Sequence, residues 1–508
     1  MIKKILSMLL VVIMVFTMLA SCDDPSENEQ KTTGSTVNDA TEEKSDDPLI
    51  DKASSFVDEL GKEFDFSGKT FSWIGSGIQS PNPEEETGDV KNDALYKRQR
   101  EIEDQFNIDW VNTYSEIDTG NAGIHPVLEA VRLAVLAGSD AYDLGYGRTS
   151  NICQPLLINN ALVDTNDLGT VDFENEWWPS SLVETYSING ATYFLNGPIV
   201  SYYYQDSYGV LFNKRVAEDY GIENLYDLVE NDEWTFDKMV EVASVIPENE
   251  NGSGAYRYCS PDGMAILIAN GETVTKYDDM GTPYVADGLT AELSALADKY
   301  SAIFGDDSTT IAERGWLSGH HEDFEEKYGF ASAPEMFVAD KALFYFTTTA
   351  QAAELRSEDV KFGILPMPKG SVNQEDYACY ADPWTLVNVF VPKTTKDKDV
   401  TGVIVEALAA LGYKYFKPAY YDILLKGRSV HDFDSKPMID IIFSTKKYDI
   451  IDLLDEGGSN NGPGMYVKLT KGAMTESSEQ IASRYMLTSK IVTQNINKIL
   501  ADIEKSNE

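Results

Sequence analysis

The sequence predicts an α/β protein built from more than one domain. At 508 residues, the chain is longer than a single hydrophobic core usually supports. Its first third alternates short apolar segments with helical patterns, which is typical of βαβ units and a mainly parallel sheet. The strand-like segments are residues 68–75, 108–111 and 142–146, and the helical segments between them are residues 92–106 and 126–137.

The helical segments carry apolar residues at helical spacing. Leu95, Ile102 and Phe106 share one face of the first helix. Pro126 stands at the start of the second, and Gly138 follows its end, as the two residue types prefer. Later segments with the same signals are predicted strands at 341–346, 362–365 and 386–391 and predicted helices at 400–416 and 482–503.

One stretch predicts a segment that passes from one domain to another. After a short apolar strand and a Gly-Pro break, the chain presents tyrosines at 202–204 and a carboxylate at Asp206. A buried strand at 209–212 follows, and Thr235 is placed to cap a later helix. Nothing in this stretch looks like a nucleophile with its base.

Several motifs follow one another along the chain, at residues 141–146, 156–164, 213–214 with 234–236, 340–346, 361–369 and 388–393. Their order resembles that of the extracellular solute-binding proteins of ABC importers, in sugar-binding family 1. The resemblance implies a type II periplasmic-binding-protein-like fold, with two discontinuous lobes joined by a hinge. We expect residues 66–200 and 341–381 in lobe 1, and residues 201–340 and 382–508 in lobe 2 with the C-terminal helices.

The N-terminus predicts an exported chain. Lys3 and Lys4 precede an apolar run at 5–19, which is too short to span a bilayer comfortably, and Cys22 follows Leu-Ala-Ser. The pattern resembles a bacterial lipoprotein signal, which implies removal of residues 1–21 and lipidation of Cys22; an ordinary secretory signal is the alternative. Residues 22–65 are expected to include a disordered, polar linker between the lipid and the folded body.

The resemblance implies a binding protein rather than an enzyme. We expect it to be lipid-anchored on the extracytoplasmic face of the cell membrane, to capture a carbohydrate (an oligosaccharide) by lobe closure, and to deliver it to membrane permease subunits. No cofactor or covalent step is expected. A peptide ligand, or a surface glycan hydrolase activity, is the alternative.

Three polar residues are candidate ligand contacts, because sugar hydroxyls need charged groups that form paired hydrogen bonds. Arg148 follows the third predicted strand, although it could be a surface arginine. Asp206 aligns with a family carboxylate at the crossing, although it could cap a helix or turn. Asp262 aligns loosely with a contact in the second lobe, although Pro-Asp-Gly is also a turn sequence.

Aromatic platforms and hydroxyl groups complete the predicted site, because sugar rings stack on aromatic faces. The platforms are Tyr202, Tyr203, Trp316 and Trp384. Each of these could instead be a core residue, as we expect for Trp73. Two further residues are Thr347, which could also cap the next helix, and Ser76, in a glycine-bracketed loop that could approach a ligand.

Charge and metal-ligand residue types exclude several functions. The chain has 84 acidic and 41 basic residues, a formal charge of −43, which argues against nucleic acid and against a polybasic membrane patch as binding partners.

The four cysteines of the chain contain no Cys-x-x-Cys pair. Beyond Cys22, they could form one disulfide and a free thiol, or be three small buried residues. His320 and His321 lack a supporting cluster, so no metal site is expected.

Overall fold

The protein is described here from a computed structural model. The described residues are 47–76, 83–115, 126–249, 252–279, 281–311, 322–383, 385–426, 432–454 and 477–507. Residues from Ser45 onward form one compact unit. Across these described ranges, we find no helix with the length and apolar character needed to cross a bilayer.

The first part of the chain alternates strands and helices as predicted. Its elements are α1 (Pro48–Glu63), β1 (Lys69–Ser76), α2 (Val90–Phe106), β2 (Ile108–Ser115), α3 (Pro126–Ala137), β3 (Leu144–Arg148), α4 (Thr149–Ile158) and α5 (Ser180–Tyr186). A 3-10 turn at Ser201–Tyr204 then leads into the second part.

The second part is mostly helical around a few strands. Its elements are β4 (Tyr208–Asn213), α6 (Lys214–Asp219), α7 (Leu225–Glu230), α8 (Phe236–Ala243), β5 (Tyr256–Cys259), α9 (Gly263–Ala269), β6 (Thr275–Tyr277), β7 (Pro283–Val285), α10 (Ala291–Phe304), β8 (Thr310–Ile311), α11 (Glu322–Tyr328), α12 (Ala333–Val338), β9 (Ala342–Thr348), α13 (Thr349–Leu355) and β10 (Phe362–Leu365). The Thr235 hydroxyl accepts a hydrogen bond from the Lys238 amide, so the predicted cap of α8 is confirmed.

The last part returns to the first sheet and ends in helices. Its elements are β11 (Cys379–Tyr380), β12 (Val387–Phe390), α14 (Lys398–Leu425), α15 (Lys436–Ser444), β13 (Lys446–Lys447), α16 (Ile451–Leu454) and α17 (Ser478–Asn507). Helix α14 packs against α1 and α2 along one part of its length and against α13 and α15 along another.

Two sheets form the cores of two lobes. The first has the order β12-β3-β1-β2, with β1, β2 and β3 parallel and β12 antiparallel to β3. The second has the order β10-β4-β9-β5-β8, in which β4 runs antiparallel to β9 and β10. Phe344, Tyr345 and Phe346 are all buried in β9, because helices or loops cover both faces of this central strand.

The pairing corrects the predicted division of the return segments. Strands β9 and β10, expected in lobe 1, pair with β4 in the second sheet. Strand β12, expected in lobe 2, pairs with β3 in the first sheet. The reason is that a strand's partners are set by contacts distant in sequence, so an apolar run shows that a strand exists but does not show which sheet it joins.

Helix α1 corrects the predicted extent of the linker. The Asp47 carboxylate caps it by accepting from the Leu49 amide at 3.0 Å. Ala53, Val57 and Leu60 are buried at helical spacing, and the helix packs against α2 and α14. The segment folds because this single apolar stripe finds a partner surface, although its overall composition is polar.

Candidate functional site

The chain crosses between the lobes at the carboxyl ends of the parallel strands. On the first sheet, β3 ends at Arg148, which lies opposite Val387 of β12. The outgoing segment passes the same place, because the Asn196 amide donates to the Val387 carbonyl. On the second sheet, Tyr208 begins β4 opposite Thr348, the end of β9. The crossing therefore joins the two sheet edges at which ligands usually bind in open α/β folds.

Three chain segments lie side by side at this crossing, and we call them the hinge: residues 201–207, 379–382 and 445–448. Ser207 bridges to Ala381, and the Asp382 amide donates to the Asp206 carbonyl at 2.7 Å. Strand β11 pairs in parallel with β13. The lobes are thus connected by a small backbone-bonded ribbon rather than by one flexible strand.

A buried ion pair ties the hinge segments together. The Lys446 Nζ lies 2.7 Å from the Asp206 Oδ1, and neither side chain is more than 2% exposed. The Ser207 hydroxyl donates to the same carboxylate oxygen at 3.2 Å. Lys446 also donates to the Tyr203 carbonyl and lies 3.4 Å from the centre of the Tyr203 ring. Burial lowers the pKa of Lys446, and the Asp206 charge opposes that shift.

This geometry corrects the predicted roles of Asp206 and Tyr203. The Asp206 side chain is fully buried, so it holds the crossing segments rather than facing a ligand. Tyr203 is also buried, and its ring covers the Lys446 amine. Sequence alone could not pair Asp206 with a lysine 240 residues away.

Two further predicted contacts have structural roles. The Asp262 carboxylate accepts from the Met264 and Ala265 amides at 3.0 and 3.1 Å, so it caps α9. The alternative for this residue was a turn in Pro-Asp-Gly, and the geometry shows instead the N-cap of a helix. Thr347 is buried within β9, opposite Gly209 of β4.

Tyr202 lies within the hinge, and Arg148 lies beside it at the end of β3. Both are half-buried, and Arg148 is the last residue of β3. The Lys91 amine lies 5.5 Å from the centre of the Tyr202 ring. Ser76 ends β1, in the same sheet edge. Trp316, Trp384 and Cys22 lie outside the described residues, as do His320 and His321.

A small cavity lies beneath this edge of the first sheet. Its volume is about 20 Å³, enough for a single water-sized group. The lining residues are Trp73, Leu95, Arg98, Tyr146, Ile199, Val200, Ser201, Tyr202 and Val387. Trp73 is fully buried, so its predicted core role is confirmed. A larger cavity, about 540 Å³, lies between α1, α14 and α15 and contains none of the predicted site residues.

Two basic residues near Tyr202 were not among the predicted site residues. Lys91 and Arg98 lie on α2, seven positions apart, where charged residues usually mark a solvated helix face. Arg98 is instead 1% exposed and donates to the Ile199 carbonyl at 2.6 Å. Burial lowers the pKa of Arg98 to about 9 and that of Lys91 to about 8. The spacing of the buried residues along α2 is the signal that could have indicated Lys91 and Arg98, but the many charged residues of this helix obscure that spacing in the sequence.

Three of the cysteines lie in the core. Cys153, Cys259 and Cys379 are buried thiols, so the interpretation as small buried residues is confirmed. Within the described ranges, no group of three metal-ligating side chains comes together.

Comparisons with known proteins identify the fold. No protein-family model matches the chain, and no curated protein matches it. Among solved structures, a sugar transporter protein from Rhizobium etli in an open conformation is 12% identical, covers 83% of this chain and 99% of its own, and has a TM-score of 0.53. The chain therefore has a two-lobed α/β fold of the periplasmic-binding-protein type.

Other structures with this solute-binding fold give similar coverage. The GacH receptor of Streptomyces glaucescens, solved unliganded and with acarbose, is 12% identical, with 84% of this chain and 99% of its own covered and a TM-score of 0.49. A solute-binding protein from Thermotoga lettingae bound to alpha-D-tagatose is 16% identical, with 85% and 100% covered and a TM-score of 0.47.

Proposed function

We propose that this chain is the solute-binding component of an ABC importer and captures a carbohydrate by closing its two lobes. The observation that carries the proposal is the hinge, which joins the carboxyl edges of both sheets, contains Tyr202 and has Arg148 beside it. This is the arrangement in which two lobes can close over a ligand. The fold shared with the sugar transporter protein of R. etli supports a sugar as the ligand.

The mechanism is binding without covalent chemistry. A sugar ring stacks on the Tyr202 face while the Arg148 guanidinium donates paired hydrogen bonds to neighbouring hydroxyls. The second lobe then rotates about the hinge, and the closed form is recognised by the permease subunits. Cys22 carries a lipid that holds the protein at the extracytoplasmic face of the membrane.

A thermal-shift screen tests this proposal. The mature chain from residue 22, with Cys22→Ser to remove the lipid site, is heated with mono- and oligosaccharides and, in parallel, with peptides. A ligand that binds only the folded protein raises the melting temperature with concentration. We expect a shift with one class of glycan and a smaller shift in Arg148→Ala and Tyr202→Ala variants.

The other outcomes distinguish the alternatives. A shift with peptides alone would keep the fold and overturn the carbohydrate assignment. Release of reducing ends from a glycan would show hydrolysis and would replace the binding role. The lipid anchor is tested separately, by labelling cells that express the full chain with a fatty-acid analogue; Cys22→Ala should abolish the label.

A further inference from the structure

Among the described residues, two positive charges near Tyr202 form no ion pair with a carboxylate, although the chain has about twice as many acidic as basic residues. Arg98 is 1% exposed. Its polar contact is the Ile199 carbonyl, 2.6 Å from Nη1, and its guanidinium lies 4.6 Å from the centre of the Phe416 ring. The Nε atom is buried without a hydrogen-bond partner. A buried guanidinium that lacks a counter-charge is costly, so this position calls for an anion.

Lys91 places a second charge on the same side of α2. Its amine lies over the Tyr202 ring, and in the described part of the chain no carboxylate oxygen lies within ion-pair distance of it. Asp89 and Glu354 are near enough to favour its charged form, but burial still lowers its pKa. Seven residues of helix place the backbone positions of Lys91 and Arg98 about 10 Å apart along the axis, and both side chains are long enough to extend toward one anion.

The ring of Tyr202 and the small cavity connect the two charges. Arg98 and Tyr202 both line the cavity, and Lys91 covers the Tyr202 ring from outside. The cavity has room for one oxygen-sized group. A sugar ring stacked on Tyr202 can therefore direct one carboxylate toward Arg98 while Lys91 pairs with its other oxygen.

From this juxtaposition we infer that the ligand is an acidic saccharide, one with a uronic acid carboxylate held between Lys91 and Arg98. The inference rests on the proposed function, since it names the class of carbohydrate bound at the same site. It predicts a preference that neutral stacking and hydroxyl contacts would not produce, because desolvated charge-assisted bonds are stronger than neutral ones.

Matched ligands test the inference with the mature Cys22→Ser chain. Calorimetry compares trigalacturonate with its methyl ester, trimannuronate with mannotriose, and cellotriuronate with cellotriose. We expect the acidic member of the bound pair to have a dissociation constant at least tenfold lower, and this advantage to shrink as salt rises. Lys91→Met and Arg98→Met should each remove most of the preference, whereas Arg98→Lys should keep part of it.

Lys97→Met is the matched control, because Lys97 lies on the exposed side of α2 and pairs with Glu86. It should bind both members of each pair as the parent chain does. Near-UV circular dichroism checks that the Arg98 variants fold, and Lys91, half-buried at the helix start, provides a variant that leaves the core intact. A neutral glycan that binds as tightly as its acidic counterpart, or a preference unchanged in Lys91→Met, would overturn the inference while leaving the binding function. If no glycan raised the melting temperature in the thermal-shift screen, the proposed function itself would be refuted.

Discussion

Lys446 and Asp206 form a buried ion pair that joins two of the three segments crossing between the lobes, with a nitrogen-to-oxygen distance of 2.7 Å. The two residues are 240 positions apart, and each is supported by further hydrogen bonds inside the hinge. Such pairs add little stability relative to apolar residues, but removing one partner leaves the other charge buried and alone.

Asp206→Asn should therefore destabilise the protein by about 3–5 kcal/mol. The amide that replaces the carboxylate keeps the shape but leaves the Lys446 charge unbalanced in the hinge. Urea unfolding followed by tryptophan fluorescence measures the change in the free energy of unfolding. Asp382→Asn, in the neighbouring hinge segment, is a comparison. A loss below about 1 kcal/mol in Asp206→Asn would show that the pair does not hold the hinge.

The pKa of Lys91 predicts a dependence of stability on pH. Burial lowers this pKa to about 8, against an ordinary value of 10.5, and the nearby Asp89 and Glu354 charges oppose the shift. Between these two values the unfolded chain binds more protons at this site than the folded chain, so stability at this site rises with pH. The free energy of unfolding of the parent chain, relative to that of Lys91→Met, should thus increase from about pH 8 to pH 10.5. A constant difference across that range would contradict the shift.

Glu406 is a buried carboxylate that fastens a loop to α14. It accepts from the indole nitrogens of Trp177 and Trp178 at 2.8 and 3.0 Å. The Asn175 side chain and the Asp172 amide also donate to it. Burial raises the pKa of Glu406, while these four donors oppose that shift.

Glu406→Gln should cost about 2–4 kcal/mol, because the amide nitrogen of glutamine faces donors and cannot accept from them. Chemical denaturation measures the loss, and the indole environments should change in the near-UV circular dichroism spectrum. Glu174→Gln removes an exposed carboxylate from the same loop and should stay within about 0.5 kcal/mol of the parent. Equal stability of the two variants would refute the role of Glu406.

Gly412 marks the closest approach between α14 and the segment that leaves the first lobe. A Cβ added there would lie 1.8 Å from the Pro198 carbonyl oxygen, and both sides of this contact are backbone. Gly412→Ala should lower stability by about 1–3 kcal/mol through forced displacement. Gly288→Ala is the control, since no atom lies within 4 Å of its added Cβ. If Gly412→Ala had the same melting temperature as the control, α14 would be able to move away from Pro198 without a cost in stability.

Local signals predicted the elements but not their partners. Thr235 caps α8 as predicted, because a cap needs only a residue three positions away. The strands after 208, 341 and 361 were likewise visible as apolar runs. The lobe that each return strand joins was predicted incorrectly, because strand pairing depends on residues far along the chain.

The candidate site was predictable by position more than by role. Arg148 and Tyr202 lie beside the crossing, as their place after or between strands suggested. Asp206 lies there too, but its partner Lys446 comes from the last crossing, which no local pattern announces. Lys91 and Arg98 were missed because a charged residue in a helix normally faces water, and only the packing of α2 under the hinge buries them.

The three-segment hinge restricts the two lobes to one main relative motion, which is bending about the hinge. Three adjacent segments, bonded across by backbone pairs and by Asp206 with Lys446, can bend about the line they form. Twisting or sliding of one lobe against the other would break those bonds. The gap between the two lobes therefore widens in proportion to the distance from the hinge. On the proposed function, the unit of the ligand that binds at Tyr202, close to the hinge, meets nearly fixed walls, and units farther out meet walls whose spacing depends on the angle between the lobes. The proposal therefore implies that the ligand unit nearest the hinge is selected most strictly, and that ligand length is selected through the angle between the lobes.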